Sequence, residues 1–174
     1  TNPDVCIKFT ILLDPNSMGI NFGIETGAIP PGAIFYQINC GPPIAIGTPI
    51  CLSGAGPHIL TFCKPGNNNN TYTISAIPKP VVPDSILVRN GCTSTLAVTG
   101  FSVPTITWNS INPGPSGFYN SYLSCTAACA SVVVTPTGTP PPFVDYVVGG
   151  FGQSPCQANY FQDTIRVYFY ADLI

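Results

Sequence analysis

The side chains with the most chemical potential in this sequence are its eight cysteines. They fall four and four about the middle of the chain: Cys6, Cys40, Cys51, Cys63, Cys92, Cys125, Cys129 and Cys156. A structural zinc site usually contains Cys-x-x-Cys pairs, often together with histidine. The closest pair here, Cys125 and Cys129, has three residues between its members, and His58 is the single histidine. We therefore predict disulfides and no metal site, and disulfides indicate an oxidising compartment.

The spacing alone leaves three pairings open within each set of four cysteines. We prefer Cys6–Cys63 and Cys92–Cys156, because each would tie an early strand to a late one. Cys40–Cys51 and Cys125–Cys129 would then close local loops. Each bridge is expected to stabilise the fold by a few kcal/mol, mainly by restricting the unfolded chain.

Catalytic residues are not apparent in the sequence. A serine or cysteine nucleophile needs a base, and His58 has no acidic residue within twenty positions. The carboxylates that a glycoside hydrolase would need lie mostly at predicted turns and strand ends. They are Asp4, Asp14, Glu25, Asp84, Asp145, Asp163 and Asp172. We predict a protein that is not an enzyme and that holds no cofactor.

Charge is scarce: the 174 residues include five basic and seven acidic side chains, 7 % of the chain. This composition argues against nucleic-acid binding, which needs clustered Lys and Arg. No apolar stretch approaches the roughly 18–20 residues of a membrane-spanning helix, so membrane insertion is not expected. With 45 % apolar residues the chain can bury a core. Abundant Val, Ile and Thr with few helix formers indicate an all-β protein.

Short alternating segments separated by Gly, Pro and Asn clusters indicate the strands, and the prolines indicate the boundary between two domains. Pro78, Pro80 and Pro83 form a stiff linker, so we place the domains at residues 1–80 and 81–174. The spacing favours two tandem β-sandwiches of the immunoglobulin, Greek-key type, stapled by disulfides. The predicted strands cover 5–13, 33–39, 58–63, 71–77, 85–88, 95–99, 105–109, 131–135, 145–148 and 164–170.

The last predicted strand has the clearest alternation. Ile165, Val167 and Phe169 face one way, and the opposite face carries Thr164, Arg166, Tyr168 and Tyr170. A strand edge with few charges can pair with another chain, so we predict that this strand joins copies into a filament or repeat array. Its tyrosines could alternatively bind sugar or fill a second sheet face.

Two further residues have both a structural and a functional interpretation. Trp108, the single tryptophan, lies in a predicted strand, where packing in the core near a disulfide is favoured over a platform for a ligand. Asn69 begins the sequon Asn69-Asn70-Thr71 at a predicted loop tip, where N-glycosylation and a chance match are both tenable.

The second half of the chain resembles the Ig-like and PKD-like repeats of large secreted surface proteins of the Bacteroidota, the gliding-motility adhesin and type IX-secreted group. The ordered series that carries the resemblance is Ile106-Thr107-Trp108-Asn109-Ser110, Pro113-Gly114, Tyr119-Asn120, Leu123-Ser124-Cys125-Thr126, Val134-Thr135-Pro136-Thr137-Gly138, Val144-Asp145-Tyr146-Val147-Val148 and Asp163-Thr164-Ile165-Arg166-Val167-Tyr168-Phe169. The family pattern often has a cysteine near Gly149-Gly150, which is absent here, and this favours a distant partner such as Cys92 for Cys156.

The resemblance implies non-enzymatic extracellular or cell-surface modules that build stalks, filaments or adhesins. It also implies O-glycosylation at Asp-Ser/Thr-aliphatic motifs, which makes Ser85 and Thr164 candidate sites. A secreted carbohydrate-binding module, with Trp108 or the tyrosines stacking on sugar rings, is the alternative function. A secreted inhibitor or toxin-like scaffold is a third class, normally shorter and more highly charged.

Overall fold

The computed structural model describes residues 4–27, 34–65 and 69–171. Contacts divide the chain into two compact units, Thr1–Lys79 and Pro80–Ile174. The sequence predicts a turn at Pro30-Pro31-Gly32 and a loop over the asparagine run Asn67–Asn70. That turn, together with Asn67 and Asn68, lies outside the described residues. The all-β prediction is confirmed, because strands dominate both units and the helical segments are two 3-10 turns, Val103–Thr105 and Asn120–Tyr122, in the described part of the chain.

The first unit is a sandwich of two antiparallel sheets. Its strands are β1 (Asp4–Ile11), β2 (Ser17–Thr26), β3 (Phe35–Ile38), β4 (Ile44–Ala45), β5 (Ile50–Cys51), β6 (His58–Pro65) and β7 (Thr71–Pro78). One sheet has the order β1-β6-β3-β4 and the other β5-β2-β7. The first strand therefore lies beside β6, and the last strand lies beside β2 in the other sheet.

The core of the first unit lies between these sheets. Alternate side chains of β2, Ile20 and Phe22, meet Leu60 and Phe62 of β6, and all four are at most 2 % exposed. The turn after β1 is stabilised by a local hydrogen bond of 2.7 Å, which the backbone N–H of Asn16 donates to the Asp14 carboxylate.

The second unit has the strand order of an immunoglobulin-type sandwich. Its strands are β8 (Ser85–Arg89), β9 (Ser94–Ala97), β10 (Thr107–Asn112), β11 (Ser131–Val134), β12 (Phe143–Phe151) and β13 (Tyr160–Tyr170). One sheet has the order β10-β12-β13-β8, and β9 pairs with β11 in the other. Strands β10, β12 and β13 correspond to C, F and G of that fold, and β9 and β11 to B and E. Strand β8 pairs with β13 in parallel.

The core of the second unit follows the alternation read from the sequence. Ile165 and Val167 are fully buried and Phe169 nearly so, as predicted for β13. They pack with Val144, Tyr146 and Val148 of the neighbouring β12 in a single cluster that includes residues of both sheets. Burial of Tyr146 raises its pKa far above the ordinary value, and the neutral hydroxyl donates a hydrogen bond to the Tyr119 carbonyl at 3.0 Å.

Two of the preferred disulfides form and two do not. Cys6 pairs with Cys63 across the aligned β1 and β6, and Cys125 pairs with Cys129 in a local loop. Cys40 and Cys92 are free and exposed, so the predicted pairs Cys40–Cys51 and Cys92–Cys156 are wrong. Cys51 and Cys156 are themselves disulfide-bonded.

The fold places the two members of each wrong pair on different elements. Cys40 lies in the turn after β3, whereas Cys51 ends β5, which belongs to the opposite sheet. Cys92 follows β8, whose end at Arg89 lies beside Tyr170. Cys156 precedes Tyr160, which lies at the other end of β13. The two ends of this strand are about 30 Å apart, at about 3.3 Å per residue.

This arrangement predicts the pattern of thiol labelling. Protein unfolded without reductant and treated with iodoacetamide should be alkylated at Cys40 and Cys92, and the other six cysteines should react only after reduction. Peptide mass spectrometry measures both states. Labelling of Cys51 or Cys156 before reduction would contradict the assignment.

Candidate functional site

Trp108 is part of the core, as favoured from the sequence. Its side chain is 2 % exposed, and its indole N–H donates a hydrogen bond of 2.9 Å to the carbonyl of Cys129. A tryptophan in this position joins β10 to the loop closed by the Cys125–Cys129 disulfide. Because no ring face is open to solvent, Trp108 cannot serve as a sugar-stacking platform, and that form of the carbohydrate-binding alternative is wrong.

His58 also has a structural role. It is 7 % exposed, and its two ring nitrogens lie 3.3 Å from the side-chain nitrogen of Asn39 and 3.2 Å from the carbonyl oxygen of Gly54. The imidazole thereby links the start of β6 to the loop before it and to the turn after β3. With both ring nitrogens engaged, the local geometry accounts for this histidine without a catalytic role.

The predicted assembly strand is an interior strand over part of its length. Strand β13 pairs with β12 from Tyr160 to Tyr168 and with β8 from Arg166 to Tyr170. Its backbone from Arg166 to Tyr168 is therefore paired on both sides, and another chain cannot add there. The prediction that this strand joins copies by edge pairing is wrong for that segment, although the outward direction of Thr164, Arg166, Tyr168 and Tyr170 is as expected.

The outward side chains of this sheet form a surface that we call the aromatic face, comprising Leu87, Phe143, Tyr168 and Tyr170 around the pair Arg166–Asp145. Tyr168 and Tyr170 are 40 % and 46 % exposed, and Leu87 is 69 % exposed. Register places Phe143, Tyr168 and Leu87 side by side on three adjacent strands. The Arg166 guanidinium carbon lies 4.2 Å from the centroid of the Phe143 ring, a cation–π contact.

Asp145 and Arg166 form a bidentate ion pair on this face. The guanidinium Nε donates to Asp145 Oδ1 at 2.7 Å, and a terminal nitrogen donates to Oδ2 at 2.9 Å. The carboxylate is buried, whereas the arginine is partly exposed. These hydrogen bonds, opposed by burial and assisted by the arginine charge and by Asn112, hold the pKa of Asp145 below its ordinary value of 3.8. The pair raises the pKa of Arg166 in turn.

The lowered pKa predicts how stability depends on pH. Because Asp145 binds protons less readily when folded, its contribution is present above about pH 4 and falls as the pH drops through its folded-state pKa. Asp145→Asn should lower the free energy of unfolding at pH 7, and the difference from the parent should shrink in acid. Urea unfolding between pH 2 and 7 measures this. Asp163→Asn, on an exposed residue of the neighbouring β13, is the control, and a pH-independent difference would contradict the expectation.

The candidate glycosylation residues are accessible but differ in setting. Asn69, Ser85 and Thr164 are all exposed. Ser85 begins β8, whereas Thr164 lies well inside β13, which starts at Tyr160, and so does not mark a strand start. Exposure is compatible with a sugar at each residue, and glycosylation stays a prediction.

The structural feature that sequence reasoning missed is the open edge of β7. The sequence predicts a strand at residues 71–77, but nothing local in it distinguishes an edge strand from an interior one. In the described structure β7 has β2 on one side and no strand on the other. Thr73, Ile74, Ser75 and Ala76 are all exposed.

The described residues contain neither a metal-ligating cluster nor a membrane-spanning helix. No group of three or more His, Cys, Asp or Glu side chains there is arranged to hold a metal ion. The same part of the chain contains no helix with the length and hydropathy needed to cross a bilayer.

No protein-family model and no curated protein matches the chain. Among solved structures it is similar to the tandem Ig repeats of Dlar, at 12 % identity and a TM-score of 0.36, with 99 % of this chain and 100 % of that chain covered. It is also similar to the titin domains z1z2 in complex with telethonin, at 15 % identity and a TM-score of 0.33, covering 99 % and 90 %. Scores this low carry no argument, so the assignment of an immunoglobulin-type module depends on the strand order itself.

Proposed function

We propose that this chain is a non-enzymatic structural repeat of an extracellular filament or cell-surface adhesin that associates with other copies of itself. The observation that carries the proposal is a large surface with very little charge. The chain exposes 9729 Å² to solvent but has 12 charged residues. Such a surface has little charge repulsion to keep it dispersed, which favours coverage by neighbours or by sugar.

The structure reduces the available charge further. Lys64 is 5 % exposed and donates a hydrogen bond of 2.6 Å to Asn70. The charges of Arg166 and Asp145 are paired with each other. Exposed apolar side chains are found in both units, including Phe35 at 54 % and Phe118 at 63 %. These features support an assembled role over a freely diffusing one.

The disulfides and the resemblance support the location and the class. Cys6–Cys63 and Cys125–Cys129 are expected to persist in an oxidising compartment, in keeping with an extracellular chain. The series from Ile106 to Phe169 that resembles Bacteroidota surface repeats lies in the second unit, and its longest segments fall on β10, β12 and β13. We propose that the chain is a repeat of that kind and that type IX secretion delivers it to the cell surface.

Assembly is tested with a background variant, Cys40→Ser/Cys92→Ser, in which adventitious disulfides between copies cannot form. Light scattering after size exclusion should show a mass that rises with protein concentration, and negative-stain microscopy should show dimers or longer arrays. A compact monomer at every concentration would overturn the self-association part of the proposal.

The aromatic face favours a second candidate function, a carbohydrate-binding module. Tyr168 and Tyr170 are exposed on one face of the sheet beside the Arg166–Asp145 pair, and aromatic rings next to polar groups suit stacking on sugar rings. Exposed tyrosines could bind sugar here although Trp108 cannot.

A glycan array separates this candidate from the first. Binding that is lost in Tyr168→Ala/Tyr170→Ala, and retained in the control Tyr160→Ala on the exposed opposite end of the same strand, would support a sugar site. If the parent protein binds no glycan, the carbohydrate-binding candidate is excluded.

A further inference from the structure

The described sheet edges differ in how well they are protected against pairing with another chain. Strands β4 and β5 have two residues each, which is too short to pair extensively. Strand β1 carries Lys8, a charge of the kind that discourages strand addition. Strand β8 carries Arg89. These edges have the usual features that block pairing.

Strand β10 is protected by its own chain. The Trp108 amide donates to the carbonyl of Thr126 at 2.8 Å, and the Ala128 amide donates to the carbonyl of Ile106 at 2.8 Å. The loop around the Cys125–Cys129 disulfide therefore covers part of the outer side of β10. In the other sheet, β9 and β11 have four residues each, and β11 is bridged by Leu123.

Among the residues that the structure describes, strand β7 has none of these protections. It has eight residues, Thr71–Pro78, without a charge and without proline until its last position. Ile74 lies opposite the buried Phe22, and therefore on the core-facing side of the sheet, yet it is 41 % exposed. A long, uncharged, β-branched strand with an open edge is the type of segment that pairs with another strand.

We infer that β7 pairs with β7 of a second copy in an antiparallel arrangement. This joins the two β5-β2-β7 sheets into one continuous sheet of six strands. The inference rests on the self-association proposed above and names the surface responsible. An identical partner fits because β7 has no charge that would select an oppositely charged one, and because two-fold pairing of identical surfaces is the commonest form of association.

The chemistry of the strand selects a register centred on Ile74. Antiparallel pairing about that residue sets Ile74 against Ile74 and Thr73 against Ser75 of the second copy. The isoleucines then cover each other, and the hydroxyl groups of Thr73 and Ser75 lie on the same face, a favourable cross-strand pair. The side chain of Thr73 already leans over Gly23 on that face, where a Cβ on the glycine would approach its hydroxyl to 3.0 Å.

A charge at the centre of the pair provides the first test, in the Cys40→Ser/Cys92→Ser background. Ile74→Lys puts two like charges directly opposite each other and should raise the dimer dissociation constant by about tenfold or more. Ile59→Lys is the matched control, because Ile59 is 37 % exposed but lies on β6, which is paired on both sides. Sedimentation equilibrium measures association, and circular dichroism shows that both variants fold.

Cysteine cross-linking provides the second test and reports the register. In the same background, Ile74→Cys should form a covalent dimer with diamide, because directly opposed Cα atoms lie about 4.5–5.5 Å apart. Thr73→Cys alone should cross-link poorly, since residue 73 of the second copy lies diagonally across the strand pair, about 7–8 Å away. A mixture of Thr73→Cys and Ser75→Cys should cross-link well. Non-reducing gels measure all three.

The outcomes separate this inference from the proposed function. If the parent associates but Ile74→Lys and Ile59→Lys weaken association equally, or not at all, the β7 interface is wrong and self-association stands. If Thr73→Cys cross-links better than Ile74→Cys, the register is wrong. If the parent is monomeric throughout, both the interface and the self-association part of the proposal are wrong.

Discussion

The ring of Phe22 is completely buried, and the centroids of four other aromatic rings lie between 5.3 and 6.0 Å from its own. Those rings belong to Phe9, Tyr36, Phe62 and Tyr72, on four different strands from both sheets. Contacts of this kind stabilise beyond the area they bury. The first unit depends on this cluster, because it holds the two sheets together, and Tyr72 anchors the otherwise exposed β7 against the core.

The scarcity of charge has different consequences inside and outside the fold. Inside, it leaves a core that is almost wholly apolar. Polar groups there, such as His58 and the Trp108 indole, form hydrogen bonds with backbone carbonyl oxygens. Outside, the Arg166–Asp145 pair orders the centre of one sheet face. The remaining surface offers neutral polar and apolar groups, whose interactions with neighbours depend on backbone pairing and shape more than on charge.

The sequence predicted features that depend on neighbouring residues and missed those that depend on topology. Alternation identified both faces of β13 correctly, because burial follows a period of two. Strand β2 was missed although the apolar residues Met18, Ile20 and Phe22 alternate, since Gly19 and Gly23 are of a residue type that is uncommon in strands. Gly19 is needed where a Cβ would lie 2.2 Å from the carbonyl oxygen of Ile50. Which strand lies at an edge, and which of Cys40 and Cys51 is oxidised, depend on partners distant in the sequence, so spacing could not predict them.

The parallel pairing of β8 with β13 has a mechanical consequence. These are the first and last strands of the second unit, and their register joins Ser85 to Arg166 and Arg89 to Tyr170. Tension applied at the start of β8 and the end of β13 pulls the two strands in opposite directions along their length. The evenly spaced hydrogen bonds between them are then loaded together in shear, and they do not open one after another as in an unzipping hairpin. A module whose first and last strands are paired in this way resists unfolding by a force applied at its two ends, which is the direction in which a tethered chain is stretched.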